Sequence, residues 1–243
     1  MVQTGDNLVE IITSGLSAAN IILQDGDIIV LAQKIVSKAE GRRVNLVSVE
    51  PSARAVELAK TIEKDARLVE LVLRESNQIL RTRVGTIIVE HRLGFVCANA
   101  GIDHSNVAGV GNSLEEWVLL LPENPEATAQ IICTALEEKS GVQVGVMIID
   151  SHGRAWREGV VGVAIGLAGL PGLVDMRGKS DLFGYNLHIT TIGAADELAA
   201  AASLVMGQAN EATPIIHVRG FPYELRNGSL HELLRPKEMD LFR

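Results

Sequence analysis

Three stretches of the sequence put oxygen-bearing or cationic side chains directly after short apolar runs, the place where α/β proteins present groups to ligands. In Val96-Cys97-Ala98-Asn99-Ala100-Gly101-Ile102-Asp103-His104-Ser105-Asn106, small residues allow a tight turn before Asp103 offers a hard carboxylate, with Asn106 three residues on. Ile149-Asp150-Ser151-His152-Gly153-Arg154-Ala155-Trp156-Arg157 pairs a carboxylate with a hydroxyl, as Mg²⁺ sites do, but without a Gly-rich phosphate loop. Such oxygen ligands favour Mg²⁺ or Mn²⁺ over softer metals. In Gln33-Lys34-Ile35-Val36-Ser37-Lys38, two lysines four residues apart would share a helical face and suit phosphates as point charges. Each stretch also has a plainer reading: an aspartate capping a turn, Asx or Ser turns at Asn106 and Ser151, and a solvated basic loop. His104 and His152 are candidate general bases, Arg154, Arg157 and Arg177 candidate holders of carboxylate or phosphate, and Trp156 a ring that can stack or fill a core.

These loops need elements to carry them. Asp27–Ala32 (DIIVLA) and Val144–Asp150 (VGVMIID) are short apolar runs, the pattern of strands buried on both faces. Leu8, Ile11, Ile12 and Leu16 share one face of a helix over Asn7–Ile22, capped by Asp6 or Asn7. Further helices are expected over Ala53–Lys64, Ala66–Ser76, Pro125–Lys139 and Asp196–Gln208. Strands are expected over Thr86–Val89, Gly94–Ala98, Val118–Leu121 and Pro214–Val218, with Gln33–Arg43 as a basic loop and Gly159–Val174 as a buried, glycine-interrupted segment. The fold class is α/β (mixed α+β): a core subdomain of residues 1–83 together with 185–243, and a strand-rich central insertion over 84–184.

The 243 residues are 47% hydrophobic and 21% charged, which excludes disorder and allows a sizeable core. A formal net charge of −8 gives no general attraction for nucleic acid, so a phosphate ligand has to be held locally. No stretch has the length of a membrane span, and the N-terminus lacks a basic region followed by an apolar one. The two cysteines, Cys97 and Cys133, form no CxxC pair and read as small buried hydrophobes of a cytoplasmic protein.

Taken together, the stretches resemble the coenzyme F-420:glutamate ligase family. The likeness rests on TGDNL (Thr4–Leu8), DGDIIVLAQKIVSKAEGR (Asp25–Arg42), GFVCANAGIDHSNV (Gly94–Val107), IIDSHGRAWREGVVGVAIGLAGL (Ile148–Leu170), DMRGKSDLFG (Asp175–Gly184) and MGQAN (Met206–Asn210). The resemblance implies a GTP-dependent ligase that joins L-glutamate by an amide bond to the carboxylate of the coenzyme F-420 precursor, with two Mg²⁺ or Mn²⁺ ions and K⁺. It implies Asp103 and Asp150 as ligands of one metal, Ser151 and Gln208 as ligands of the second, and Asp103, Asp150 and Lys38 as the catalytic residues. Gln33, Lys34, Lys38, Asn106, Met206, Gly207, Gln208, Ala209 and Asn210 are implied as nucleotide contacts. It also implies a homodimer with strands intertwined between subunits, in a fold of the family's own. The family's usual opening strand and Leu-Pro or Ile-Pro turn have no counterpart ahead of Thr4 in this sequence, so either nucleotide contacts come from elsewhere or the start is truncated or misassigned. Other readings of the same residues are a ligase for another amino acid or cofactor precursor, a GTP-binding relative without turnover, and a metal-dependent phosphohydrolase.

Overall fold

The computed structural model describes residues 1–107 and 116–241. Helix α1 (Leu8–Ala18) starts at Asn7, whose side-chain oxygen accepts from the Val9 and Glu10 amides at 3.0 and 3.3 Å. It is followed by β1 (Asp27–Ala32), α2 (Gln33–Ala39), β2 (Arg43–Asn45), α3 (Ala53–Ile62), α4 (Ala66–Arg74), β3 (Ser76–Arg83), β4 (Thr86–His91), β5 (Val96–Ala98) and β6 (Trp117–Leu119). The second half holds α5 (Pro125–Ser140), β7 (Val144–Arg154), β8 (Arg157–Ala168), β9 (Val174–Asp175), β10 (Thr191–Ile192), α6 (Ala194–Met206) and β11 (Ile215–Val218). The fold is mixed α/β, as expected.

The central sheet has the order β11-β1-β7-β8, and only the β1–β7 pair is parallel. Residues Ile28 to Leu31 of β1 are fully buried, and their alternation sends Ile29 and Leu31 to the core under α1 and α5, and Ile28 and Val30 to the one under α6. Burying each such side chain stabilises the fold by about 1.5–3 kcal/mol, which is why an uninterrupted apolar run marks a strand covered on both faces. Helix α6 presents Ala195, Ala199 and Ala202 to the sheet, and these short side chains let it approach closely. The expected division at 84 and 184 passes through this sheet, since β7 and β8 lie inside that span while β1 and β11 lie outside it.

A three-stranded sheet β3-β4-β5 and a two-stranded pair β2-β6 complete the part that positions Asp103. Helix α2 and strands β3 and β7 are among the elements that differ from expectation. Gln33–Ala39 is helix rather than loop, because Ile35 and Val36 pack into the core and draw the chain into a turn. Strand β7 does not stop at Asp150 but runs on to Arg154, extended by its pairing with β8. Strand β3, with the polar sequence SNQILRTR, has no apolar alternation and is held by its ladder with β4. Cys97 and Cys133 are free and buried. Among the described residues, no helix is long and apolar enough to cross a membrane.

Candidate active site

Parallel strands β1 and β7 run in register from Asp27 opposite Val144 to Ala32 opposite Ile149, and there the pairing ends. At that shared carboxyl end β1 turns directly into α2, while β7 continues with one edge free, so ligand-facing groups from both chains emerge together. A cavity of about 1040 Å³ opens here, lined by residues of α2, the Gly101–Asn106 loop, the Ile149–Gly153 segment and the Met206–Pro214 loop.

Asp103 is pinned through its backbone, whose N–H and carbonyl pair with Leu119 of β6 at 3.0 and 2.9 Å. The turn before it needs left-handed residues at Asn99, Ala100 and Gly101, and a side chain at Gly101 would meet Leu121 Cδ1 at 2.7 Å. The Asp103 Oδ2 atom accepts from Gln33 Nε2 at 2.7 Å and from Lys34 Nζ at 2.6 Å. Burial raises the Asp103 carboxyl above its ordinary value, the Lys34 ammonium opposes this, and the negative charge of Asp150 adds to the rise.

Asp150 and His152 share one face of β7, and His152 Nε2 lies 2.9 Å from Asp150 Oδ2. The imidazole is braced by Phe95, 5.3 Å away, which stacks in turn on His91. His91 is fully buried, and that burial lowers it to about 4. Ser151 points to the other face and donates to Gln208 Oε1 at 2.9 Å, while Gln208 Nε2 donates to Ser203 in α6 at 2.9 Å.

The cationic side is drawn together in the same way. Lys38 Nζ donates to the Asn106 carbonyl at 2.7 Å, and Asn106 Nδ2 donates to the Ala209 carbonyl at 3.0 Å, tying α2 to both loops. Burial, with Arg43 and Lys34 nearby, lowers the Lys38 ammonium from its usual value.

The cavity thus gathers Asp103, Asp150, Ser151, Gln33, Lys34, Lys38, Asn106 and the whole Met206–Asn210 segment. His152 also lines it, whereas His104 lies exposed outside the lining. Arg154, Arg157 and Arg177 stay outside too, Arg177 forked onto Asp175 at 2.6 Å and Arg154 donating to the Gly159 carbonyl. Trp156 sits 86% exposed at the tip of the β7–β8 hairpin. Sequence reasoning passed over Glu211, whose carboxylate accepts from the Ala209 amide at 2.8 Å and shapes the loop after α6. A carboxylate four residues past Gly207 was the available signal. It also passed over Ser105, which Lys34 reaches at 3.3 Å.

The donor set is all oxygen: two carboxylates, a hydroxyl and an amide. Among the described residues, no group of three His, Cys, Asp or Glu side chains converges as a ready-made metal cage. An all-oxygen donor set is of the kind Mg²⁺ or Mn²⁺ takes, with one or two carboxylates and a shell completed by water and substrate phosphate.

The profile of the F420-0:gamma-glutamyl ligase family matches residues 1–220. The chain belongs to that family. It is similar to the coenzyme F420:L-glutamate ligase of Methanothermobacter thermautotrophicus, 46% identical over 100% of this chain and 95% of the relative. The proteins of the same description from Methanopyrus kandleri and Archaeoglobus fulgidus are 44% and 40% identical, again over 100% of this chain and over 93% and 92% of their own lengths. Family membership and the convergence of residues far apart in sequence therefore concern the same segments.

Proposed function

We propose that this chain is a GTP-dependent ligase that adds L-glutamate to the carboxylate of the coenzyme F-420 precursor. One observation carries the reading: two aspartates and two lysines from separate segments open on a single cavity beside the Met206–Asn210 loop. A cavity of about 1040 Å³ is at the upper end of the sizes that hold cofactor-scale ligands.

Carboxylates and amines do not condense usefully at neutral pH, so the carboxylate has to be activated. Its oxygen attacks the γ-phosphorus of GTP, GDP leaves, and the resulting acyl phosphate is opened by the glutamate α-amine with release of phosphate. Asp103 and Asp150 would hold one divalent ion, and Ser151 and Gln208 a second, with K⁺ assisting. When bound, these ions supply charge neutralisation on the phosphate oxygens. Lys34 and Lys38 face the triphosphate as point charges, and Asn106 with the Met206–Asn210 loop cradles the nucleotide. Met1, Val2 and Asp6 also line the cavity and supply the nearby N-terminal wall.

A homodimer belongs to the same reading. Leu182, Phe183 and Ile189 are 99%, 94% and 89% exposed, a concentration of apolar surface that a second subunit would cover. The unpaired buried cysteines suit a cytoplasmic location.

The test is incubation with precursor, GTP and L-glutamate, with mass spectrometry of the product and measurement of GDP and phosphate. Product heavier by one or more glutamyl units, formed with equal GDP, is the expected result. Another amino acid incorporated in preference to glutamate, GTP hydrolysis without either co-substrate, or binding without turnover would each replace this reading with one of the alternatives above.

A further inference from the structure

Gln33, one of the residues implied as nucleotide contacts, lines the cavity with its side-chain amide already engaged. The residue is 2% exposed, and both ends of its amide are engaged. Ser37, one turn on in α2 and fully buried, donates from Oγ to Gln33 Oε1 at 2.9 Å. Gln33 Nε2 then donates to Asp103 Oδ2 at 2.7 Å, across 70 residues of sequence.

The order of donors fixes the direction. Reversing the amide would put its carbonyl oxygen against the Asp103 carboxylate, two acceptors facing one another without a proton between them. With Ser37 holding Oε1, Gln33 can present only N–H to Asp103. The Asp103 backbone is independently fixed to Leu119, so a donor on Oδ2 sets the remaining rotation of the carboxylate. Among the described residues, Oδ1 carries no hydrogen bond and is the oxygen left for a cation. Lys34 also reaches Oδ2, but on a flexible stem with 28% side-chain exposure, whereas the amide is locked in the core.

We infer that Ser37 and Gln33 form a buried relay of positioning residues that orients Asp103 to receive a divalent cation, with Gln33 acting through the carboxylate rather than on the nucleotide. The inference rests on the proposal that Asp103 is a metal ligand. Hydrogen bonds to ligating carboxylates are a recurrent way to orient them, and their loss typically weakens metal binding ~10–100-fold.

The test measures Mn²⁺ binding to the full chain with GDP held constant, reading free Mn²⁺ by electron paramagnetic resonance, for Gln33→Leu, Ser37→Ala, the double variant and Asp103→Asn. Gln33→Leu should bind Mn²⁺ ~10–100-fold more weakly. Ser37→Ala should bind about fivefold more weakly, the worth of one neutral hydrogen bond. Because Ser37 acts only through Gln33, the double variant should be no worse than Gln33→Leu alone, a non-additivity that general loosening of α2 would not give. In turnover, the defect should appear as a raised KM for Mn²⁺, with kcat restored at high Mn²⁺. Ser37→Ala removes one hydroxyl and suits a helix, so it keeps the test open should Gln33→Leu not fold.

Unchanged Mn²⁺ affinity in Ser37→Ala and Gln33→Leu, with Asp103→Asn impaired, would overturn the relay and leave the metal reading standing. Mn²⁺ binding that is absent in the parent chain, or indifferent to Asp103→Asn, would overturn the metal reading and the relay with it.

Discussion

Replacing Gly162 by alanine should damage the site from behind. Gly162 lies in β8 directly opposite Ser151 of β7, and α6 crosses over it. A Cβ built there falls against the carbonyl oxygen of Ala199 and 2.6 Å from Ser203 Cβ, both in α6. Ordinary van der Waals contact begins near 3.4 Å, so the helix must retreat by about 0.8 Å at Ser203. Neither obstacle is the far end of a flexible side chain, which leaves a rigid-body shift of α6 or a kink of β8 as the ways out. Overpacking of this kind costs about 1–3 kcal/mol, or roughly 2–12 °C in Tm for a chain of this size.

The same movement reaches the chemistry. Ser203 holds Gln208 Nε2, Gln208 accepts from Ser151, and the Met206–Asn210 loop leaves directly from the end of α6. Misplacement of about 1 Å at a reacting centre can cost on the order of 100-fold, so kcat/KM should fall by a factor between about 10 and 100. Differential scanning fluorimetry and the product assay would be run beside Gly15→Ala. Gly15 is in α1 with nothing near its missing side chain, and that change should stabilise the fold by about 0.5–1 kcal/mol through helix propensity. A Gly162→Ala protein with parental Tm and parental kinetics would refute the argument that α6 sits on β8 with no room to spare.

Asp103→Ala and Asp150→Ala should each lose turnover by at least about 100-fold while keeping a parental circular-dichroism spectrum, and near-normal GDP release in either would contradict their proposed roles. Hydrogen bonds from the Ser52 hydroxyl and amide, with Arg74 beside them, hold Glu70 at about 2 instead of 4.5, so its stabilisation is complete above pH 4.5 and is lost as pH falls through 2. Glu70→Gln should therefore cost about 1–2 kcal/mol at pH 7 in urea melts, with parent and variant converging at the acid end; a gap that persists at pH 2 would refute the linkage. Leu182→Ser with Phe183→Ser should shift the chain from dimer to monomer in light scattering, and an unchanged mass would remove that apolar segment from the interface.

How much of this was legible in the sequence follows from which forces act locally. Strand β1 was readable to the residue because two-sided burial leaves an uninterrupted apolar run, and α1 because Leu8, Ile11, Ile12 and Leu16 recur on one helical face behind the Asn7 cap. Strand β3 was not, since its stability lies in a ladder with β4 that no residue type announces. At the site, the hard-oxygen chemistry of Asp103, Asp150 and Ser151 could be read from residue types, while their meeting in one cavity depends on the register of β1 against β7, a contact across more than a hundred residues. The hydrogen bond of His152 to Asp150 was hidden for a related reason: it requires β7 to run on past Asp150, which only its pairing with β8 enforces.

Helix α2 shows why the misread element matters most. As a loop, Gln33–Ala39 would scatter its polar groups; as a helix, its four-residue spacing sorts them into two rows. Gln33 and Ser37 turn inward, buried to 2% or less, and hold the Asp103 carboxylate from beneath. Lys34 and Lys38, displaced by one residue, stand at the cavity wall with their ammonium groups beside the same carboxylate and the Asn106 carbonyl. One turn and a half of helix thereby sets the anionic ligand and the cationic clamp at fixed separation, and its position is dictated by β1 ending at Ala32 with no linker before α2 begins. A proline at Val36, the first α2 residue past the N-terminal turn, would leave both lysines and both aspartates in the sequence yet break the rows, so phosphate and metal affinity should fall together where a point change at Lys38 lowers only the first.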